Sequence, residues 1–235
     1  MKRGLASSAG LVISFVLLSS LPAPASAQTA TTTPRIDPED PCSFEGLPAI
    51  TPNGHRIAYV SCWTDLSDAL DARLVIADAA DGHAVLEMPL ARRPTGGEGG
   101  TPSTVVRRRV ARANRALAAR RFVTLVQVAG LEVGSEQGTA GRLVVRLDAN
   151  RRLLLVRDGA SGRERGRVAL PENPQNPYCC GGDPDDTTSC SLPPEVRASW
   201  TDAQGRVVVA EVVSGSGAPD GCEGGPDFVI VAVTP

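Results

Sequence analysis

Arg142-Leu143-Val144-Val145-Arg146-Leu147-Asp148-Ala149-Asn150-Arg151-Arg152-Leu153-Leu154-Leu155-Val156-Arg157 holds two short apolar runs on either side of the turn residues Asp148-Ala149-Asn150. A helix would repeat its apolar positions every third or fourth residue without a break. Short β-branched and leucine runs separated by a turn cluster read instead as two antiparallel strands, here 142–148 and 151–157.

The same rhythm extends in both directions. Strands are expected at 55–62, 72–78, 83–89 and 122–128 before this pair, and at 164–169, 195–201, 206–213 and 227–233 after it. Asp81-Gly82 follows Ile76-Ala77 and precedes Val85-Leu86, and Gln204-Gly205 separates Ala198-Ser199-Trp200 from Val207-Val208-Val209. A glycine after a polar residue supplies the backbone freedom of a tight hairpin, so both pairs are expected to be hairpins.

One segment departs from the pattern. Between Thr101 and Arg121, Val106, Val110, Ala113 and Leu117 recur at helical spacing, with arginines on the other faces. This predicts the one long helix, with Thr101 as N-cap, Pro102 in the first turn and Val106, Val110 and Leu117 packed on a sheet. The expected fold class is mainly β, an antiparallel sheet or sandwich of hairpins with one amphipathic arginine-rich helix.

Lys2 and Arg3, the apolar run 11–18 and Ala25-Ser26-Ala27 have the order of a secretory signal cleaved before Gln28. Pro22 and Pro24 separate the apolar run from the small residues, which favours cleavage over a retained anchor. Nothing after residue 27 approaches a membrane-spanning apolar run. Residues 28–41 read as a flexible leader with too few apolar residues to bury, and 42–235 as a single β-rich domain. Removing the signal leaves 22 basic against 26 acidic residues, a balance that argues against non-specific nucleic-acid binding. Lys2 is the only lysine, which excludes Schiff-base, P-loop and Ser-Lys chemistry from the mature chain.

Cys42, Cys62, Cys179, Cys180, Cys190 and Cys222 are an even set in an exported chain, which favours disulfides over zinc ligation, since no C-x-x-C pair is present. Cys42 with Cys62 is the first pairing expected, because the two bracket one short segment. The adjacent Cys179 and Cys180 are expected to bridge to different partners rather than to each other. Export to a secreted or periplasmic location follows from the signal and the cysteines together.

Pro48-Ala49-Ile50-Thr51-Pro52-Asn53-Gly54-His55-Arg56-Ile57-Ala58-Tyr59-Val60-Ser61 resembles the SPDG-x-x-IAYVS strand opening of the WD40-like repeats in TolB-type propellers. Asn53 stands for the usual aspartate and Thr51 for the usual serine, and both keep the turn chemistry. A propeller would repeat the motif about every forty residues. The nearest echoes, at 148–153 and 202–207, lack the proline and the aromatic. The resemblance therefore implies a local hairpin rather than a closed propeller. A blade of that family would imply protein binding in a bacterial envelope.

Arg107, Arg108, Arg109, Arg112, Arg115, Arg120 and Arg121 occur with no acid from residue 99 to 131. Guanidinium groups pair with phosphate and carboxylate, so the helix is the candidate anion-binding element, for an anionic polysaccharide, a lipid headgroup or an acidic protein. The competing reading is a solvated face answered by acids elsewhere in the fold. No aromatic interleaves the arginines, which again disfavours nucleic acid. Asp183, Asp185 and Asp186 lack the glycine and glutamate of a calcium loop and read as turn residues. Trp63 and Trp200 read as packing residues.

A hydrolase would need His55 or His83, the only histidines, with Ser61 or Ser199 as a supposed partner; G-x-S-x-G and H-E-x-x-H are both absent. No cofactor motif is present. The expected function is a non-catalytic exported binding or structural module contacting an anionic envelope or protein partner through the arginine helix. The alternative is a small secreted hydrolase using His55 or His83.

Overall fold

The computed structural model describes residues 33–64, 70–92, 101–131, 135–170, 194–214 and 224–234. The quoted hairpin is present, pairing Leu143 with Asp158 at one end and Asp148 with Leu153 at the other. In chain order the first elements are β1 (Arg35–Ile36), β2 (Phe44–Glu45), β3 (Ala49–Ile50), β4 (Arg56–Thr64), β5 (Leu70–Asp78) and β6 (Ala84–Ala91). The helix α1 (Ser103–Ala119) follows, then β7 (Val123–Thr124), β8 (Val126–Gln127), β9 (Gln137–Ala140), β10 (Leu143–Asp148), β11 (Leu153–Asp158) and β12 (Glu164–Ala169). The last are β13 (Pro194–Thr201), β14 (Val207–Ser214) and β15 (Gly224–Ala232).

All named strand pairings are antiparallel, and all three expected hairpins form. Sheet 1 has the order β6-β5-β4-β3-β7, sheet 2 the order β12-β11-β10-β9 and sheet 3 the order β15-β14-β13-β8; β1 and β2 pair separately. The motif 48–61 forms the β3–β4 hairpin.

Alternation along the strands explains how the sheets stack. On β4 and β5, Ala58, Val60, Ala72, Leu74 and Ile76 point to one side, where Val106, Val110, Ala113 and Leu117 of α1 cover them. Ile57 and Ala77 point to the other side and meet Val207, Val209 and Ile230 of sheet 3. Val208, Ala210, Val212, Val229 and Val231 leave the far face of sheet 3 and pack on Val145, Leu147, Leu154 and Val156 of sheet 2. The layers run α1, sheet 1, sheet 3, sheet 2. Leu74-Val75-Ile76-Ala77 and Val207-Val208-Val209-Ala210 are buried at every position because both faces of their sheets are covered. β10 and β11 alternate because only one face of sheet 2 is covered.

The structure revises several expectations. The strand expected at 122–128 divides into β7 and β8: Val123 pairs with Ile50 in sheet 1, and Val126 pairs with Thr201 in sheet 3. Leu125, buried between them, marks the change of sheet. Thr101 does not cap the helix. Pro102 takes that position, while the Thr101 hydroxyl accepts the Arg92 N–H at 2.9 Å and donates to the Arg92 carbonyl, fastening the helix start to the end of β6. Residues 33–41, read as a leader with little to bury, are docked: Ile36 is fully buried under α1, and Asn114 satisfies both its backbone groups at 2.9 Å.

The disulfide expected between Cys42 and Cys62 is formed, with a Cα–Cα distance of 5.7 Å, and ties the β1–β2 connection to β4. The expected signal at 1–27, Cys179, Cys180, Cys190, Cys222 and Asp183, Asp185 and Asp186 lie outside the described residues. Among the described residues, no helix is long and apolar enough to cross a membrane.

One turn is used twice. Asp78 and Asp158 each donate a backbone N–H to the carbonyl five residues on, His83 at 2.8 Å and Arg163 at 2.9 Å. Each accepts a bond on its own carbonyl from Gly82 or Gly162, which occupy φ of 74° and 68°, a region where a side chain would be strained. Each carboxylate also accepts the N–H two residues on, from Ala80 or Ala160. The β5–β6 and β11–β12 hairpins carry register shifts at corresponding points, Ile76/Ala77 and Val156/Arg157. The N–H and hydroxyl of Ser161, with the Arg142 guanidinium, hold the Asp158 carboxyl down at about 2.

Two close approaches tie the layers together. A Cβ on Gly166 of β12 would lie 2.6 Å from the Ala232 carbonyl, so glycine lets the edge of sheet 2 meet the end of β15. The Arg206 guanidinium, held by Asp202 at 2.7 Å, lies over Gly54, whose Cβ would be 2.9 Å from Nη1.

Gly166→Ala should lower stability by about 1–3 kcal/mol in a denaturant titration, because backbone must move to admit the methyl. Asp158→Asn should lower Tm at pH 7. A depressed carboxyl contributes stability above its unfolded value, about 3.9, and loses it as pH falls toward its folded value. The variant's Tm should therefore fall less than the wild type's between pH 4 and pH 2.

Candidate functional site

The helical repeat of about 100° per residue divides the arginines of α1 by direction. Val106, Val110, Ala113 and Leu117 define the buried stripe. On one flank, Arg107 and Asn114 face the N-terminal segment, and Arg107 Nη2 is 2.7 Å from Glu39 Oε2. On the other flank, Arg109, Arg112, Ala116 and Arg120 lie beside β6. Arg108 and Arg115 point outward and are exposed. Arg121 falls past the helix end at a φ of 52°. The structure thus brings three of the seven expected residues to one place, rather than making one arginine face.

That place is a groove of about 370 Å³ between α1 and β6. Its strand side includes Leu86 and Met88, which also pack on the core, and Pro89. Ala116, one turn beyond Arg112, leaves the middle of the groove open. The Arg120 guanidinium donates to the Ala116 carbonyl at 3.2 Å, and the Glu87 carboxylate pairs with Arg73 at 3.5 Å. Arg109 Nη1 is covered yet has no hydrogen-bond partner among the described residues. A covered cationic donor without an acceptor is costly, and such groups are rare in folded proteins. The apolar strand residues and Ala116 carried no sequence signal for this role; the crossing of α1 over β6 creates it.

A larger cavity, about 670 Å³, opens between sheets 2 and 3 and includes Asp158, Asp202, Arg142, Gln127 and Thr139. Its two carboxylates are spent locally. Asp158 accepts two N–H groups and a hydroxyl within its own turn, and Asp202 accepts the Arg206 N–H at 2.6 Å and Nε at 2.7 Å.

His55 and His83 are exposed on neighbouring turns and line neither cavity. Their carbonyls accept from Ala79 and Asp78, while the Asp78 carboxylate is engaged by Ala80 N–H and Arg56. Ser199 is fully buried, so its hydroxyl is closed to a substrate. Among the described residues, no three His, Cys, Asp or Glu side chains could hold a metal ion.

Trp200 packs as expected, in a half-buried row in which Phe228 stacks on Tyr59 at 4.4 Å and lies 6.4 Å from Trp200. Glu211 sits opposite Phe228 in this row. Burial pushes its carboxyl above the ordinary 4.5, against the opposing effect of Arg197. A raised carboxyl favours the fold while protonated and loses that contribution as pH rises through its folded value. Glu211→Gln should therefore raise Tm at pH 7 while leaving it close to wild type near pH 4, as read by thermal melts across that range.

Comparison with protein-family models, curated proteins and solved structures finds no match to this chain.

Proposed function

We propose that this chain is a non-catalytic, exported binding module, secreted or periplasmic, that presents α1 to an anionic partner: a polysaccharide, a lipid headgroup or an acidic protein. One observation carries the reading. Arg108, Arg109, Arg112, Arg115 and Arg121 make no ion pair with any described residue, whereas Arg107 is answered by Glu39. Five guanidinium groups on or just beyond one helix, none paired with an acid among the described residues, give a local positive field on a chain of net negative charge.

Export is supported by the charged, apolar and small-residue order of positions 1–27 and by the Cys42–Cys62 disulfide, which persists in an oxidising compartment. Binding rather than catalysis is supported by the committed carboxylate of Asp78 between the two histidines. The likeness of residues 48–61 to a WD40-like strand opening agrees with a binding role.

The test is retention of the mature protein on a sulfated polysaccharide matrix over a salt gradient. The Arg108→Gln/Arg112→Gln/Arg115→Gln variant should elute at lower salt, with roughly tenfold weaker affinity or more and a shallower salt dependence. Unchanged elution would remove the role from this helix.

A further inference from the structure

We infer that the groove between α1 and β6 is a binding site for a small amphiphilic anion, its acid head held by Arg109 and Arg112 and its apolar part lying along Leu86, Met88 and Pro89. This narrows the reading of α1 as an anion-binding element, on which it rests, from the whole helix to one flank.

The recess of about 370 Å³ is of ligand size. Arg109 and Arg112 are three residues apart, so their side chains start about 5–6 Å from each other on one helix face and can converge on one oxyanion. Arg109 Nη1 already lies under cover without an acceptor among the described residues. Turning about its terminal torsions, the Arg109 side chain can bring that nitrogen to a carboxylate or phosphate oxygen in the groove, which would supply the partner it lacks among the described residues.

Arg120 is not available to complete a three-point clamp, since its guanidinium is turned onto the Ala116 carbonyl; it closes the far end of the groove. Glu87, the acid among the lining residues, turns its carboxylate to Arg73, so it does not compete for the clamp. What remains between the cations is the apolar strip of Leu86, Met88 and Pro89, and methionine adapts readily to the shape of an apolar guest. A fully hydrated polyanion gains nothing from this strip, whereas an anion joined to an apolar group uses both halves of the groove.

A bilayer surface fits less well. Among the described residues, the exposed large apolar side chains are Phe44, Val85, Val123 and Val126, and none lies on α1, so the helix has no apolar face to insert.

The experiment uses the mature protein and isothermal titration with octyl phosphate and octanoate below their micelle concentrations, with inorganic phosphate and octyl glucoside as half-ligands. Sedimentation with anionic phospholipid vesicles forms a further arm. Octyl phosphate or octanoate should bind at least tenfold tighter than either half-ligand. Arg109→Gln should weaken that binding tenfold or more, and Ala116→Leu, which fills the groove while keeping a good helix former, should abolish it with an unchanged circular dichroism spectrum. Arg108→Gln/Arg115→Gln should leave it intact.

Octyl glucoside binding as tightly as octyl phosphate, or full affinity in Arg109→Gln, would overturn the inference. Vesicle binding that survives Ala116→Leu, with no uptake of the free amphiphiles, would also overturn it in favour of a membrane-surface role. Failure of the groove alone shows as lost amphiphile binding with polysaccharide retention kept. Failure of the broader helix reading shows as absent retention in a wild type that still binds octyl phosphate.

Discussion

The fold depends on covering β14 from both sides. Val207 and Val209 need an apolar layer on one face and Val208 and Ala210 need one on the other, so sheet 3 is stable only as the middle of a stack. Sheet 1 then faces the same requirement on its outer side, through Ala58, Leu74 and Ile76, and α1 meets it. The helix is therefore the closing layer of a series of burials that begins two sheets away. Its arginines owe their directions to that duty: the stripe Val106, Val110, Ala113 and Leu117 must face inward, and every other position is fixed by it.

The long strands were readable because each is bounded by a turn with a mechanism, as with Asp148-Ala149-Asn150 or Gln204-Gly205. The two-residue strands β3, β7 and β8 were not, because so short a segment has no period of its own; tertiary pairing makes them strands. The burial of Ile36 is illegible for a similar reason. A single apolar residue in a polar segment carries no pattern, and its burial depends on Asn114, seventy-eight positions away in sequence. The layer order left no mark either: Leu153-Leu154-Leu155-Val156 is as unbroken an apolar run as 74–77 and 207–210, yet its burial alternates because only one face of sheet 2 is covered.

Of the candidate site, the charge was legible and the geometry was not. Seven arginines could be counted along the chain, but Arg107 is neutralised by Glu39, Arg120 is turned back on its own helix, and Arg109 is covered by packing on β6. The repeated Asp-x-x-x-Gly turn at 78–82 and 158–162 was likewise hidden, since likeness between strand openings directs attention to the near end of a hairpin and not to its far end.

Arg206 has a consequence for how the layers move. Anchored by Asp202 on sheet 3 and resting on the bare backbone of Gly54 at the tip of the β3–β4 hairpin, it acts as a wedge against sliding of one sheet past the other. Shear along the strands would have to lift a charged group off its carboxylate.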